Sequence, residues 1–275
     1  MFKSEKITFQ EQTLFVTDIK PKKAKKGKLP ILFVPGWTAN ADMFKDLIKA
    51  FVKNGRRVIV VNNFFGINHS HKLKYPNIIL RNAEAIIATL KVKNLKKVDA
   101  IGHSSGCLHL SIATELHPNY FKKVVLATPA GLQGKDNLFK LMFRFSTDQI
   151  VQLRRSQNTP KTKAAIKQTM RTSRQAFKES LIYPVKEAQA IAKVQIKTAI
   201  QKARKNGVKI GVLHTQNDRA FPVEKISKSI SKNLVDLYEI VEGTHNELYL
   251  SQEEQARIIE NMLIKLAKQA APRKS

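Results

Sequence analysis

A chain of 275 residues, 43% of them hydrophobic, is long enough to bury a full core as one large domain or one domain with a sizeable insertion. Its formal charge of +28 attracts polyanions, acidic membrane surfaces and anionic small molecules, but the basic runs interleave no aromatics for base stacking, which disfavours nucleic acid as a partner. The single cysteine, Cys107, excludes an internal disulfide and a cysteine-built metal cage, and no apolar stretch approaches the ~20 residues needed to span a bilayer.

Alternating apolar residues over 6–12 and 13–19 predict an antiparallel pair at the N-terminal edge, followed by the lysine-rich loop 22–28. The rhythm then changes to short buried-strand runs separated by amphipathic helices. Strand 31–34 is followed by a helix over 43–52, strand 57–61 by a helix over 77–90, and strand 98–101 by a helix over 105–116, with a further strand at 124–127. Strands of this kind predict a parallel sheet covered on both faces.

Between residues 131 and 206 no convincing strand occurs, and the segment reads as several helices inserted into the α/β body. Ile166, Met170, Phe177 and Leu181 fall on one helical face, and Ala188, Ala192, Ile196 and Ile200 on another beyond a break at Tyr183-Pro184. The segment carries seventeen Lys/Arg against four Asp/Glu, so its outer face is expected to be strongly positive. The βα pattern resumes with a strand at 208–214, a helix after Pro222, a strand within 234–241 and a final helix. That helix carries a candidate capping box, Ser251 with Glu254, and the apolar stripe Ala256, Ile259, Leu263 and Leu266. The expected organisation is an α/β body of residues 1–130 and 207–275 with a helical insertion at 131–206.

Chemistry concentrates at Gly102-His103-Ser104-Ser105-Gly106, directly after an apolar strand. A serine between two glycines at a strand-to-helix turn has the form of a nucleophile elbow, in which Ser104 Oγ is pushed out of the sheet and the Ser105 amide sits where an oxyanion forms. Such a serine needs a base, normally a histidine held by a carboxylate. In an open parallel sheet these groups collect at the carboxyl ends of strands, which selects Asp218 after strand 208–214 and His245 after the last strand. A helix N-cap is the alternative reading for both Ser104 and Asp218. Asp136 and Asp148 are weaker acids because they belong to the insertion. His69-Ser70-His71 lacks the further ligands of a metal site, and Cys107 reads as a small buried hydrophobe. Phe64, Phe65, Phe139, Phe143 and Phe145 are candidates to line an acyl pocket, with ordinary core packing as the alternative.

With the elbow, the Asp218 loop ending in Pro222 and the terminal Gly243-Thr244-His245 in that order, nearly the whole chain resembles an α/β-hydrolase with a helical cap inserted after the fourth parallel strand. The resemblance implies a Ser104, His245 and Asp218 triad, an acyl-enzyme, no metal and no cofactor. It also implies a second oxyanion donor in the turn Val34-Pro35-Gly36-Trp37, where Gly36 admits the substrate and the Trp37 amide pairs with that of Ser105. Pro35 stands where the family usually has histidine. The implied substrate is a small acyl ester of short or medium chain, lactones included. Thioester or acylglycerol cleavage uses the same machinery, and a non-catalytic module for anionic surfaces or nucleic acid is the reading from another class. With no apolar leader run in the opening residues, the expected compartment is the cytoplasm, and peripheral attraction to anionic surfaces is the membrane role that the charge allows.

Overall fold

The computed structural model describes residues 2–9, 12–63, 77–155, 160–179, 182–231 and 233–269. Eight strands, β1 (Glu5–Phe9), β2 (Gln12–Ile19), β3 (Ile31–Val34), β4 (Val58–Asn63), β5 (Val98–His103), β6 (Phe121–Ala127), β7 (Lys209–Thr215) and β8 (Leu237–Val241), form one sheet ordered β1-β2-β4-β3-β5-β6-β7-β8. β1 and β2 are antiparallel, and β3 to β8 run parallel. The expected mostly parallel sheet is therefore the one observed. β5 runs two residues past its predicted end, pairing Val34 with Gly102 and His103 with Ala127, so the ladder continues up to Ser104.

Because side chains alternate along a strand, each central strand feeds two cores. Leu32, Val34, Val124 and Leu126 pack towards α2 (Asn77–Val92) and α3 (Gly106–Leu116). Ile31, Phe33, Val125 and Ala127 pack on the other face with α1 (Lys45–Lys53) and α10 (Gln252–Lys268). The stripe Ala256, Ile259, Leu263 and Leu266 is wholly buried there. The capping box is not formed: Ser251 Oγ donates to Glu247 of the short helix α9 (Glu247–Leu250) instead. The adjacent Gln252 is the capping group, its Oε1 accepting from the amides of Asp46 and Leu47 at 2.8 and 3.0 Å and so closing the exposed donors of α1.

The insertion comprises α4 (Leu138–Arg155), α5 (Pro160–Glu179), α6 (Ile182–Lys193) and α7 (Lys197–Lys205); α8 (Val223–Ser229) follows β7. Pro184 sits in the first turn of α6, where a missing amide costs nothing, so it starts the helix rather than breaking it. Ala188, Ala192, Ile196 and Ile200 are buried. On α5 the expected stripe does not hold, because Met170 is 67% exposed while Thr172 is buried and Phe177 half-buried. The inward face of α5 meets α6, α9 and the 41–44 turn, and that contact turns Met170 outward. The Ile166 side chain and Leu181 lie outside the described residues. α7 packs on α3 and β7 with Ala199, Ile200 and Ala203 buried, in the same helical layer as the body. Backbone bonds from Asp136 to Ala192 (2.7 Å) and from Ile196 to Gly131 (3.1 Å) tie the two ends of the α4–α6 excursion together.

At the amino ends of the strands, far along β5 from Ser104, a buried ionic cluster surrounds Arg56. Its guanidinium donates to both oxygens of Glu260 on α10 (2.8 and 2.9 Å) and to Asp99 Oδ2 of β5 (2.9 Å), with Lys28 adding a second cation to Glu260 and Lys123 one to Asp99 Oδ2. No helix of the described residues is long and apolar enough to cross a membrane.

Candidate active site

Between β5 and α3 the backbone turns so sharply that Ser104 adopts φ +52°, a left-handed conformation costly for a residue with a Cβ. The flanking glycines make the turn sterically feasible. A Cβ at Gly106 would stand 2.2 Å from the Val34 carbonyl oxygen, and one at Gly102 3.0 Å from Cys107 Cα. Two further non-glycine residues with positive φ, Thr38 (56°) and Thr128 (43°), lie at the same end of the sheet. The Ser104 amide donates to Ala127 at the end of β6 (3.0 Å), pinning the strained turn to its neighbour strand.

Ser104 Oγ lies 2.9 Å from His245 Nε2, and His245 Nδ1 lies 2.9 Å from Asp218 Oδ2. An ionised Asp218 can only accept, so the Nδ1 proton is on the imidazole and Nε2 is left to accept from the serine hydroxyl. Asp218 Oδ1 takes the Phe221 amide at 2.8 Å, which fixes the carboxylate plane. The two loops that carry Asp218 and His245 are joined by Thr215 Oγ1 donating to the Thr244 carbonyl (3.0 Å) and by the Asn217 amide donating to Gly243 (2.9 Å). Ser104, His245 and Asp218 are all buried, and Phe145 and Phe221 stand nearly perpendicular to the imidazole with centroids 5.2 and 5.0 Å away. Burial opposes a charge on His245, but the Asp218 carboxylate outweighs it by charge and hydrogen bond, aided by Asp148, and the imidazole pKa is raised above 6.5. Two neighbouring imidazoles behave oppositely. Burial pushes His103 down to about 3 and also lowers His214, so both stay neutral beside His245.

Asp148 is closer to this chemistry than its place in the insertion implies. It is buried, its Oδ1 accepts from the Arg219 amide at 3.2 Å, and burial raises its pKa. Nothing in its sequence spacing signals this; the contact arises because α4 folds back over the carboxyl ends of the strands.

On the opposite side of Ser104, the turn after β3 comes within van der Waals distance. A Cβ on Gly36 would stand 3.0 Å from Ser104 Cβ and 3.2 Å from the His103 carbonyl oxygen, so the Gly36-Trp37 backbone lies against Ser104. The Trp37 indole donates to the Pro184 carbonyl (3.0 Å) and its ring meets Phe177 edge-on at 6.2 Å, which anchors the turn beneath α5 and α6. Ser105, fully buried, donates its hydroxyl to Glu187 Oε1 at 3.1 Å. Glu187 is buried on α6, and burial lifts its carboxyl to about 7 against the opposing hydrogen bond from Ser105. As one of four acids in a basic segment, Glu187 carries no motif that marks it in the sequence.

A cavity of about 510 Å³ opens on the Gly36 side of the elbow, between Gly36, Thr38, Asn40, Tyr183, Pro184 and Glu187 and the N-terminal residues Phe2, Ser4, Phe15 and Thr17; Ser104 and His245 are not among its walls. Phe139 and Phe143 do not line it. They are 84% and 70% exposed, because α4 turns Leu141, Phe145 and Asp148 inward and those two phenylalanines outward. Phe64 and Phe65, and likewise His69 and His71, lie outside the described residues. Cys107 is buried with its thiol pKa raised well above the ordinary value by burial, which makes it a poor nucleophile.

A parallel sheet with a strained serine after β5, an acid after β7 and a histidine after β8 defines the α/β-hydrolase class. The chain belongs to the alpha/beta hydrolase fold family, whose sequence profile matches residues 30–249. Among solved structures it is similar to a carboxylesterase from Nitrososphaera gargenis (15% identity, TM-score 0.68, 97% of this chain and 100% of that one). It is similar also to an esterase from Exiguobacterium antarcticum (18%, TM-score 0.69, 91% and 95%). A bromoperoxidase from Bacillus anthracis shares the same fold (15%, TM-score 0.71, 95% and 99%). No functionally curated protein matches the chain.

Proposed function

We propose that the protein is a serine hydrolase acting on carboxylic esters of short or medium acyl chain, lactones included. The observation that carries this reading is the unbroken line of hydrogen bonds from Ser104 through His245 to Asp218, mounted on a strained elbow. His245 Nε2 takes the hydroxyl proton as Ser104 Oγ bonds to the acyl carbon, while Asp218 stabilises the imidazolium. The tetrahedral oxyanion is received by the Trp37 and Ser105 amides. Collapse expels the alcohol, which takes its proton from His245, and leaves an acyl-enzyme that water cleaves by the same sequence reversed in roles. The cavity of about 510 Å³ falls within the range of ~300–1,000 Å³ usual for small ligands, which supports a modest acyl or alcohol group.

In this reading α4–α6 serve as a cap, with Trp37 bonded to Pro184 and Ser105 to Glu187 as its contacts with the catalytic floor. α7 returns the chain to the body. The esterases among the similar structures favour ester substrates over other chemistry of the fold. The reading needs no cofactor and takes the cytoplasm as the compartment. The test is a panel of p-nitrophenyl esters from acetate to laurate, with lactones and acyl thioesters, run on wild type and Ser104→Ala. Wild-type turnover is expected to peak at short or medium esters and to fall at least about 10³-fold in Ser104→Ala. Absence of turnover on every acyl compound refutes the proposal.

A further inference from the structure

The outer surface of the insertion has a composition that the ester chemistry does not explain. Of the ten large apolar side chains exposed among the described residues, six lie on α4–α6. Phe139, Met142 and Phe143 occupy one stripe of α4 at spacings of three and four, and Ile182 and Val185 one stripe of α6. Scattered exposed apolar residues need no explanation, whereas grouped ones at helical spacing mark a surface that meets something.

The charge around these stripes is one-sided. Residues 131–206 hold seventeen Lys/Arg against four Asp/Glu, and two of those acids, Asp148 and Glu187, are buried while Asp136 is paired with Arg144. Lys140 and Lys186 are exposed beside the apolar stripes. A helical face joining phenylalanine and aliphatic side chains to lysines fits the boundary of an anionic bilayer, where acyl chains take the apolar groups and headgroups the ammoniums.

We infer that α4 and α6 dock the protein onto anionic lipid surfaces through Phe139, Phe143 and Ile182, with Lys140 and Lys186 against the headgroups. Nucleic acid fits less well, because Met142, Ile182 and Val185 gain nothing from phosphates and do not stack on bases. A second copy of the chain fits less well too, since the same face would bring two strongly positive surfaces together. The inference does not depend on the ester reading, but it has a consequence for it. α6 carries Ile182 and Val185 outward and Pro184 and Glu187 on the cavity wall, so a bound bilayer lies about one helix diameter, ~10 Å, from the cavity.

The test is co-sedimentation of the full chain with vesicles of phosphatidylcholine alone and of equal parts phosphatidylcholine and phosphatidylglycerol, at low and high salt. Binding to the anionic vesicles is expected to be at least about tenfold tighter and to weaken with salt. Phe139→Ser/Phe143→Ser and, separately, Lys140→Glu/Lys186→Glu should each weaken it by about tenfold or more while circular dichroism stays unchanged. No binding to anionic vesicles at low salt overturns the inference, as does binding that Phe139→Ser/Phe143→Ser leaves intact. Tighter binding to DNA than to vesicles overturns it, and so does a solution dimer that this double variant dissociates.

Discussion

At the scale of single residues, the proposed function makes the protonation of His245 decisive. The proposed base needs a neutral imidazole, and Asp218 holds its pKa above 6.5, so kcat/KM should rise with pH to a plateau with a midpoint above that value. Asp218→Asn removes the main cause of the elevation. The midpoint should move to lower pH and the plateau should fall about 10⁴-fold, as read by stopped ester assays across the pH range. Glu187 runs the other way. Its folded pKa of about 7 exceeds the ordinary 4.5, so the folded state binds more protons than the unfolded state between those values and stability falls as pH rises through that window. Glu187→Gln abolishes this loss, and urea unfolding should show it gaining about 2–3 kcal/mol relative to wild type between about pH 5 and pH 8. No gain would mean that Glu187 ionises freely in the fold.

Among elements, the elbow and the β3 turn fit so closely that a single methyl separates folding from catalysis. Gly106→Ala puts its Cβ 2.2 Å from a backbone oxygen and should destabilise by about 3 kcal/mol or more. Gly36→Ala meets Ser104 Cβ at 3.0 Å, a contact relieved by a small loop shift, so the protein should fold normally but lose about 10²-fold in turnover as the oxyanion amides move. The α/β elements were legible because runs such as 31–34 and 124–127 are apolar at every position, a pattern that two-sided burial imposes. Ser104, Asp218 and His245 were legible for a related reason: each follows a strand of the parallel sheet, and parallel strands bring their carboxyl ends to one edge. The insertion was less so. Met170 and the phenylalanines of α4 follow helical periodicity, but periodicity does not tell an inward face from an outward one. Glu187 and Asp148 reach the site only through tertiary packing, and Gln252 caps a helix some two hundred residues away in sequence.

For the molecule as a whole, stability and chemistry sit at opposite ends of the sheet. The Arg56 cluster closes the amino ends of β4 and β5 and ties α10 to the body. Arg56→Ala leaves Asp99 and Glu260 buried with only lysine partners and should cost about 3 kcal/mol in urea unfolding, with ester turnover per folded molecule unchanged. At the carboxyl ends, strain at Ser104, Thr38 and Thr128 is held by the surrounding hydrogen bonds, the pattern expected where conformation serves reaction rather than stability. The most direct measurement is fluorophosphonate labelling followed by peptide mass mapping. One stoichiometric adduct on Ser104, lost in His245→Ala, is the predicted result; an unlabelled Ser104, or an adduct on any other residue, would contradict the account.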